Sequence, residues 1–578
     1  MDIQRTIALS VFFISAFLLW DAWQKQHLPP QVQTPAVAST PKPSQPVTTP
    51  PPSSEAPVML PGAAVGEAGV LPTGKRLQVT TDNLAVEIDT AGGDLRSVTL
   101  TKHKGFEDGS KPFYQDALDR LASLIGHKSF EDQSKPLLLM RDKGEPYYVT
   151  QSGLQGEGLP THNTTYAALA TSYALTSEQD KLEVRLTAPE TGGVKVDKIY
   201  TFHRGSYVVD VAYAITNDGK TAISPEAYFL LVRDSNPSPG DVKMLNTFTG
   251  AALYSEQNKF KKVSFSDIDK YEKSFKKKAN DGWIGFVQHY FVTAWLPKGS
   301  VEREFYIDKP AGGKLYRAGF KIPVAKVEPG QTVTVDMPLY VGPQEVDKLA
   351  KLAPGLDLVV DYGIFTIIAA PIFKVLHFIH GWVGNWGVAI ILLTVLIKLV
   401  FFPLQSKASR SMAQMKVLAP KMQKLKEQYG DDRQKLQQAT MELYKKEKIN
   451  PLGGCLPIVI QIPVFISLYW VLLASVDLRH APFALWINDL SANDPFYVLP
   501  VIYAVTMFVQ MKLQPASPDP VQQKVMMAMP IIFSVMFLFF PAGLVLYWIV
   551  NNVLSISQQW YINRLIESEN AVKGHAKR

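Results

Sequence analysis

The sequence predicts two fold classes in one chain. One is a membrane α-helical bundle with a five-helix core and an N-terminal anchor. The other is a large extracytoplasmic β-sandwich in a domain of its own, so that α and β are segregated. Three observations carry this. From about Lys75 to Val341 apolar and polar residues alternate with period two. After Asp361 the chain turns into long apolar runs, one of which, Val383 to Phe402, holds a single charge, Lys398. Val525 to Asn563 then carries no charge over 39 residues.

Taken in order, Arg5 precedes an uncharged stretch from Thr6 to Trp20, and Trp20 and Trp23 suit the membrane interface. That stretch is short for a span and is also the length of a signal-peptide core. A small-x-small site, Ala36-Val37-Ala38, lies far beyond it inside a Pro-rich stretch, and residues 1–28 are read as an uncleaved anchor with a cytosolic N-terminus. Residues 29–75 form a linker: eleven prolines fall between 29 and 61, among Ser, Thr and Gln, and such a segment buries no core.

Residues 76–345 are the β-domain. Leu84, Val86 and Ile88 alternate with polar residues, as do Leu182, Val184 and Leu186, the run Tyr207 to Ile215, and Val333 to Leu339. Gly- and Asn-rich turns separate the runs, which suits a sandwich. No HExxH, nucleotide-binding glycine loop or paired metal ligands occur, so neither metal nor cofactor is expected. Lys276-Lys277-Lys278 reads as a solvated loop, and no basic stripe calls for nucleic acid. Cys455 is the single cysteine, which excludes an intrachain disulfide.

Residues 355–382 mix apolar residues with Lys374, His377 and His380 and read as an amphipathic helix in the interface. The core, 383–562, holds candidate spans at about 383–403, 456–476, 495–511, 525–540 and 544–562. The last two come from dividing the uncharged run. One helix of that length would reach about 58 Å, nearly twice a bilayer core, and Pro541-Ala542-Gly543 supplies a break. Charge agrees with this topology: residues 404–454 hold eleven Lys/Arg against five Asp/Glu, and a basic tail, 563–578, closes the chain.

Lys398 is the leading functional candidate. A cation near the centre of a spanning helix costs roughly 2.5–3.5 kcal/mol and usually faces a cavity or a partner. The plainer reading is that it snorkels toward the cytosolic headgroups near Pro403 and Lys407. Thr394 shares its helical face. Other intramembrane polar residues are Gln461 and Ser467, Thr506 and Gln510, and Asn551, Asn552, Ser555, Gln558 and Gln559. Singly, each is ordinary interhelical hydrogen bonding. Together, with a cation and no core Asp or Glu to neutralise it, they point to a hydrated groove open to something anionic. Residues 405–449 read as a basic helical hairpin. Met412, Met415, Met422 and Tyr429 form a stripe on its first arm, Gly430 breaks it, and Met441 lies on the second arm. The stripe either packs the arms together or offers a pliable surface to varied apolar segments. Gly453, Gly454 and Pro457 mark an irregular entry to the next span.

Four motifs carry a resemblance: NPLGGCLPIVIQIPVF (450–465), LRHAPFALWINDLSANDP (478–495), FPAGLVLYW (540–548) and GWIGFVQHYFVTAW (282–295). With them the chain resembles the YidC-type membrane protein insertases of Gram-negative inner membranes over nearly its whole length. The resemblance implies an inner-membrane insertase and chaperone, not an enzyme, acting alone or with the Sec translocon. It implies a positively charged groove, open to cytosol and lipid and closed on the periplasmic side, with Lys398 as its cation. Several relatives carry Arg there, and Lys lacks the planar fork for bidentate carboxylate recognition. Further implications are a periplasmic super-sandwich of sugar-binding type, a cytosolic C-terminus, and a slide for the substrate's apolar segment near Ile466, Leu468, Tyr547 and Trp548. The implied partners are nascent membrane proteins, the ribosome and the lipid bilayer, with a monomer sufficient. Two rival readings remain at this point. A transporter or channel requires inverted repeats, which are not evident. A polysaccharide-binding protein would use its spans only as anchors.

Overall fold

The computed structural model describes residues 71–105, 135–238, 248–270, 275–310, 312–430, 432–447, 456–513 and 520–575. The anchor expected at 1–28, most of the linker, and residues 450–455 of the expected irregular helix entry lie outside them.

The period-two segments form the β-domain. A nine-stranded sheet is accompanied by two five-stranded sheets, and the pairings are antiparallel except for Arg76–Thr80 against Ser172–Ala174. At the centre of the large sheet, Val208–Asn217 pairs with Thr332–Pro343 on one side and Val194–His203 on the other, with Val211 opposite Met337 and Tyr200. Val209, Val211, Tyr213 and Ile215 are buried, as alternation requires of a face turned inward. The sheets pack face to face: Phe229, from the strand Glu226–Arg233 of a five-stranded sheet, lies 5.2 Å from Trp295 and 6.0 Å from Tyr213 of the large sheet. Such offset aromatic contacts add to the burial of apolar area.

Among the described residues the helices are α1 (Phe265–Asp269), α2 (Val346–Leu352), α3 (Thr366–Val383), α4 (Trp386–Tyr429), α5 (Arg433–Lys446), α6 (Leu456–Ala474), α7 (Val498–Leu513), α8 (Pro520–Phe537) and α9 (Ala542–His575). Gly384 ends α3 in the left-handed conformation that glycine adopts without penalty, and its N–H reaches the His380 carbonyl. Asn385 then caps α4 through Val388 N–H. The uncharged stretch is divided as its length demands, with α8 ending at Phe537 and α9 beginning at Ala542.

Two helices run on past the ends of their apolar stretches. The first arm of the hairpin continues the helix that holds Lys398, α4 running unbroken for 44 residues through Pro403 and Pro420, about 66 Å. Likewise α9 carries the tail on to His575. In both cases the polar continuation keeps good helix formers, Lys, Gln, Glu, Met and Ala, so nothing stops propagation where the apolar run ends. The turn between the arms follows its local signals: α4 ends at Tyr429, and the Asp432 carboxylate caps α5 by accepting from Lys435 N–H at 3.1 Å.

Five spans were expected between 383 and 562. Among the described residues, two helical segments are long and apolar enough to cross a membrane: Trp386–Ala408, with mean hydropathy 2.5, and Thr366–Val383, with 1.4. The second is the segment expected to lie in the interface. Gln461–Ala474, Val498–Leu513 and Met527–Phe537 are shorter apolar helices.

The β-domain meets the helices through the hairpin joining strands Trp283–Gln288 and Phe291–Trp295. Its tip is strained, with Tyr290 at φ +67° and stacked on His289 at 3.7 Å. His289 Nε2 lies 3.0 Å from the Leu473 carbonyl near the end of α6. Arg479, just beyond α6, donates to the Lys104 carbonyl at 2.6 Å and lies 5.8 Å from the Phe291 ring centre.

Candidate functional site: a cation in an uncharged helix junction

Lys398 lies twelve residues after the start of α4, on the face turned to α9. Its ammonium donates to Ser555 Oγ at 2.7 Å and to Gln405 Oε1 at 3.4 Å. Gln405 stands seven residues further along α4, which returns it to the same face after two turns. Gln405 Nε2 in turn reaches Gln461 Oε1 on α6 at 3.5 Å, and Gln461 Nε2 donates to Tyr547 Oη on α9 at 2.9 Å. A chain of polar side chains therefore ties α4, α6 and α9 together. Every partner of the cation in it is neutral. Among the described residues no carboxylate pairs with Lys398, which is half-buried and rests on Ser555 and Gln405. Hydroxyl and amide oxygens solvate a cation without cancelling its charge, so the field of Lys398 extends into the junction.

The other expected residues divide by what they touch. Gln558 Nε2 donates to Ser406 Oγ at 3.1 Å, and Asn552 Nδ2 to Thr506 Oγ1 at 3.3 Å, so both bridge helices. Thr394 and Ser467 are buried, and each hydroxyl bonds the carbonyl four residues back, those of Ile390 and Pro463, at 2.7 Å. They satisfy themselves within their own helices and offer little to a ligand. Gln559 bonds Asn563 on its own helix, and Gln510 is half-buried near the end of α7.

Two members of the expected slide are enclosed by neighbouring helices in this structure. Leu468 is fully buried and Tyr547 is 1% exposed, so neither presents a surface to a passing segment. The reason is packing: Tyr547 is held by Gln461 and stacks near Phe465, while Leu468 belongs to the same core. Ile466 and Trp548 are half-buried. The Trp548 ring sits among Phe465 at 4.9 Å, Phe537 at 6.1 Å and Tyr503 at 6.4 Å, from α6, α8 and α7.

At the α9 start the junction is closed by backbone. Ala542 N–H bonds the Ala492 carbonyl at 2.7 Å and Gly543 N–H the Leu490 carbonyl at 2.9 Å. Gly387 makes room for Phe483, whose Cδ2 would lie 2.0 Å from an added Cβ. Asp494, 1% exposed, accepts from Trp486 Nε1 at 3.0 Å and from the Leu499 N–H at 2.6 Å at the start of α7. Asp494, Gln405 and Ser406 were not singled out from sequence. The seven-residue spacing from Lys398 was a usable signal for Gln405. The hairpin's arms are joined by Lys421 and Glu447 at 2.6 Å. Met422 and Tyr429 are half-buried and Met441 is exposed, while the side chains of Met412 and Met415 lie outside the described residues.

Comparison with known proteins agrees with this two-part design. The family model for the YidC periplasmic domain matches residues 117–375, and that of the 60Kd inner membrane protein matches residues 378–569. Among relatives, the membrane protein insertase YidC of Nitrosospira multiformis is 50% identical over 586 residues, covering 99% of this chain and 98% of its own length. That of Aromatoleum aromaticum is 51% identical over 577 residues, covering 99% of each. A crystal structure of an active YidC insertase with its first transmembrane domain resolved is 18% identical, covers 86% of this chain and 95% of its own, and gives a TM-score of 0.39. With half of all positions shared end to end and both parts matched by family models, the chain belongs to the YidC family of membrane protein insertases.

Proposed function

We propose that the chain inserts and folds inner-membrane proteins without nucleotide, through a hydrophilic groove whose cation is Lys398. The observation that carries this reading is that Lys398 rests on Ser555 and Gln405, both neutral, with no carboxylate paired to it among the described residues. An acidic or polar stretch of an incoming chain completes the electrostatics of such a site. Its path through hydrocarbon is then shorter, and its apolar segment partitions into lipid. Burial at roughly 25 cal/mol per Å² suffices to drive that partition.

In this reading the first half of α4 and helices α6 to α9 are the five spans, and α3 lies in the interface at the periplasmic side. An N-terminal anchor precedes the periplasmic β-domain, and both termini are cytosolic. The long basic continuation of α4, with α5, faces the ribosome and the nascent chain. Cooperation with the Sec translocon and a chaperone role belong to the same proposal.

The test is photo-crosslinking of a ribosome-stalled small membrane protein to probes at Gln405 and Ser406, beside the cation, and at Leu399, an exposed apolar position. Polar parts of the substrate crosslink to the first pair and its apolar segment to the third. Crosslinks confined to Leu399 would end the groove reading.

A further inference from the structure

The segment between α6 and α7 holds three non-glycine residues in the left-handed backbone region: His480 at φ +56°, Leu485 at φ +54° and Tyr497 at φ +56°. An L side chain is disfavoured there, and such a residue persists only where its surroundings hold it. For His480 the hold is visible, since its Nδ1 lies 3.1 Å from Asp489 Oδ2. Leu485 differs: it is 85% exposed, so packing of its own side chain does not account for the strain. The turn is fixed by its neighbours instead. Phe483 N–H donates to the Ile487 carbonyl at 2.9 Å, and Ile487 N–H to the Ala484 carbonyl at 3.1 Å. Trp486 is tied through Nε1 to Asp494 at 3.0 Å. The loop thus holds a strained backbone in order to project one leucine outward.

The place of this apex says what it meets. Asn385 Nδ2 donates to the Phe483 carbonyl at 2.9 Å, and the Phe483 ring fills the space that a side chain at Gly387 would need. The apex therefore sits at the head of α4. Along α4, Val388, Leu392, Leu396 and Leu399 are exposed at spacings of four, four and three, one apolar stripe on one face. On a spanning helix such a stripe faces acyl chains. Pro482 and Ala484 are exposed and uncharged like Leu485, so the apolar surface continues past the start of the helix into the loop. Trp382, 81% exposed near the end of α3, stands three residues before Asn385. A contiguous uncharged patch at the end of a span suits lipid and not water.

We infer that the apex at 482–485 is a membrane wedge, with Leu485 inserted among the acyl chains of the periplasmic leaflet beside the head of α4. Its partner is phospholipid. An apolar tip seated at the boundary of headgroups and acyl chains fixes the height of the helix to which it is tied. Lys398, twelve residues after Trp386, is then held about 18 Å below that level, inside a hydrocarbon core of roughly 30 Å. The inference rests on the reading of α4 as a span with its head at the periplasmic side, and not on how the cation engages cargo.

The test uses the full chain with its single cysteine removed by Cys455→Ser. Leu485→Cys, Asn488→Cys and Leu399→Cys are each labelled with an environment-sensitive fluorophore and reconstituted in vesicles of phosphatidylethanolamine and phosphatidylglycerol. Asn488 is an exposed polar residue of the same loop, and Leu399 marks the lipid face of α4. Quenching is read with spin-labelled lipid and with iodide on both sides of the bilayer. The label at 485 is expected to be quenched by lipid at least threefold more than the label at 488, with the order reversed for iodide. If 485 behaves like 488 while 399 is quenched by lipid, the apex lies in water and the inference falls, with the span reading intact. If 399 is quenched by iodide instead, the span reading falls and the inference with it. If neither quencher reaches 485, a second copy of the chain covers it, and the inference falls again. Leu485→Gly supplies an independent readout, because glycine accepts this backbone conformation without strain. In detergent it should unfold no lower than the parent; a lower unfolding temperature would make Leu485 a packing residue and overturn the inference.

Discussion

Lys398 Nζ lies 2.7 Å from Ser555 Oγ, and the proton of that hydroxyl points to the Asn551 carbonyl, also at 2.7 Å. The serine therefore turns its lone pairs to the ammonium. This differs from an ion pair in a testable way. Removing one partner of a buried pair strands the other charge, at a cost of about 3–5 kcal/mol. Removing Lys398 strands only a hydroxyl and an amide, each with another partner.

Lys398→Ala should accordingly fold, with stability within about 1 kcal/mol of the parent. Insertion of substrates with acidic translocated regions should fall about tenfold, which corresponds to about 1.4 kcal/mol. Lys398→Arg should retain activity because it keeps the charge. Insertion rates and thermal unfolding of the same preparations separate the two effects. Full activity of the alanine variant would return Lys398 to the snorkelling reading.

Gln461 and Tyr547 supply a prediction about stability. Tyr547→Phe leaves Gln461 Nε2 without its 2.9 Å acceptor in a half-buried site, which should cost about 1–3 kcal/mol. Gln461→Leu combined with Tyr547→Phe removes both partners of this bond and should recover part of that loss, the remainder being the cost to Gln405 Nε2 of losing its 3.5 Å contact with Gln461 Oε1. Thermal unfolding in detergent reads the cycle. Equal stability of the single and double variants would mean that this bond does not tie α6 to α9.

How much of this was legible beforehand follows from what each signal depends on. The β-domain strands were legible because alternation such as Val209, Val211 and Tyr213 reports one buried face directly. The division at Pro541-Ala542-Gly543 followed from bilayer thickness against helix length. The uninterrupted runs of α4 and α9 were not legible, because hydropathy marks where lipid ends and not where a helix does. The polar set was legible as residue types at helical spacing. Which of them face a partner was not: Thr394 and Ser467 turn back on their own carbonyls, while Ser555 receives the cation. Leu468 and Tyr547 look like surface residues of a span until the neighbouring helices cover them.

His103 makes the β-domain acid-sensitive. Burial, reinforced by the charges of Arg479, Lys348 and His480, lowers its pKa from 6.5 to about 4. The ring stays neutral when folded, 3.0 Å from Tyr207 Oη and 5.7 Å from Phe291. Above pH 6.5 neither state is protonated and the group contributes no pH dependence. As pH falls from 6.5 toward 4 the unfolded chain takes up a proton that the folded one refuses, so stability declines across that window and levels off below it. For this partly exposed site the decline should be about 2 kcal/mol. His103→Gln should flatten it. Unfolding measured from pH 7.5 to 4.5 checks this, and parallel curves for parent and variant would rule His103 out.

Arg479 joins the β-domain to the loop after α6, by its bond to the Lys104 carbonyl and its approach to the Phe291 ring. A hydrogen bond from a charged donor contributes about 1.5–3 kcal/mol, and lysine cannot make both contacts with one compact head group. Arg479→Ala and Arg479→Lys should therefore both loosen the docking, the first more. His289, 3.0 Å from the Leu473 carbonyl, remains as a second tether, so neither variant should separate the domains outright. The expected sign is faster proteolysis in residues 344–365, between the last strand and α3, with the unfolding of the β-domain itself unchanged. His289→Ala added to Arg479→Ala should accelerate cleavage beyond either alone. If the double variant is cleaved no faster than the parent, the hairpin tip and the arginine are neighbours of the core without holding it.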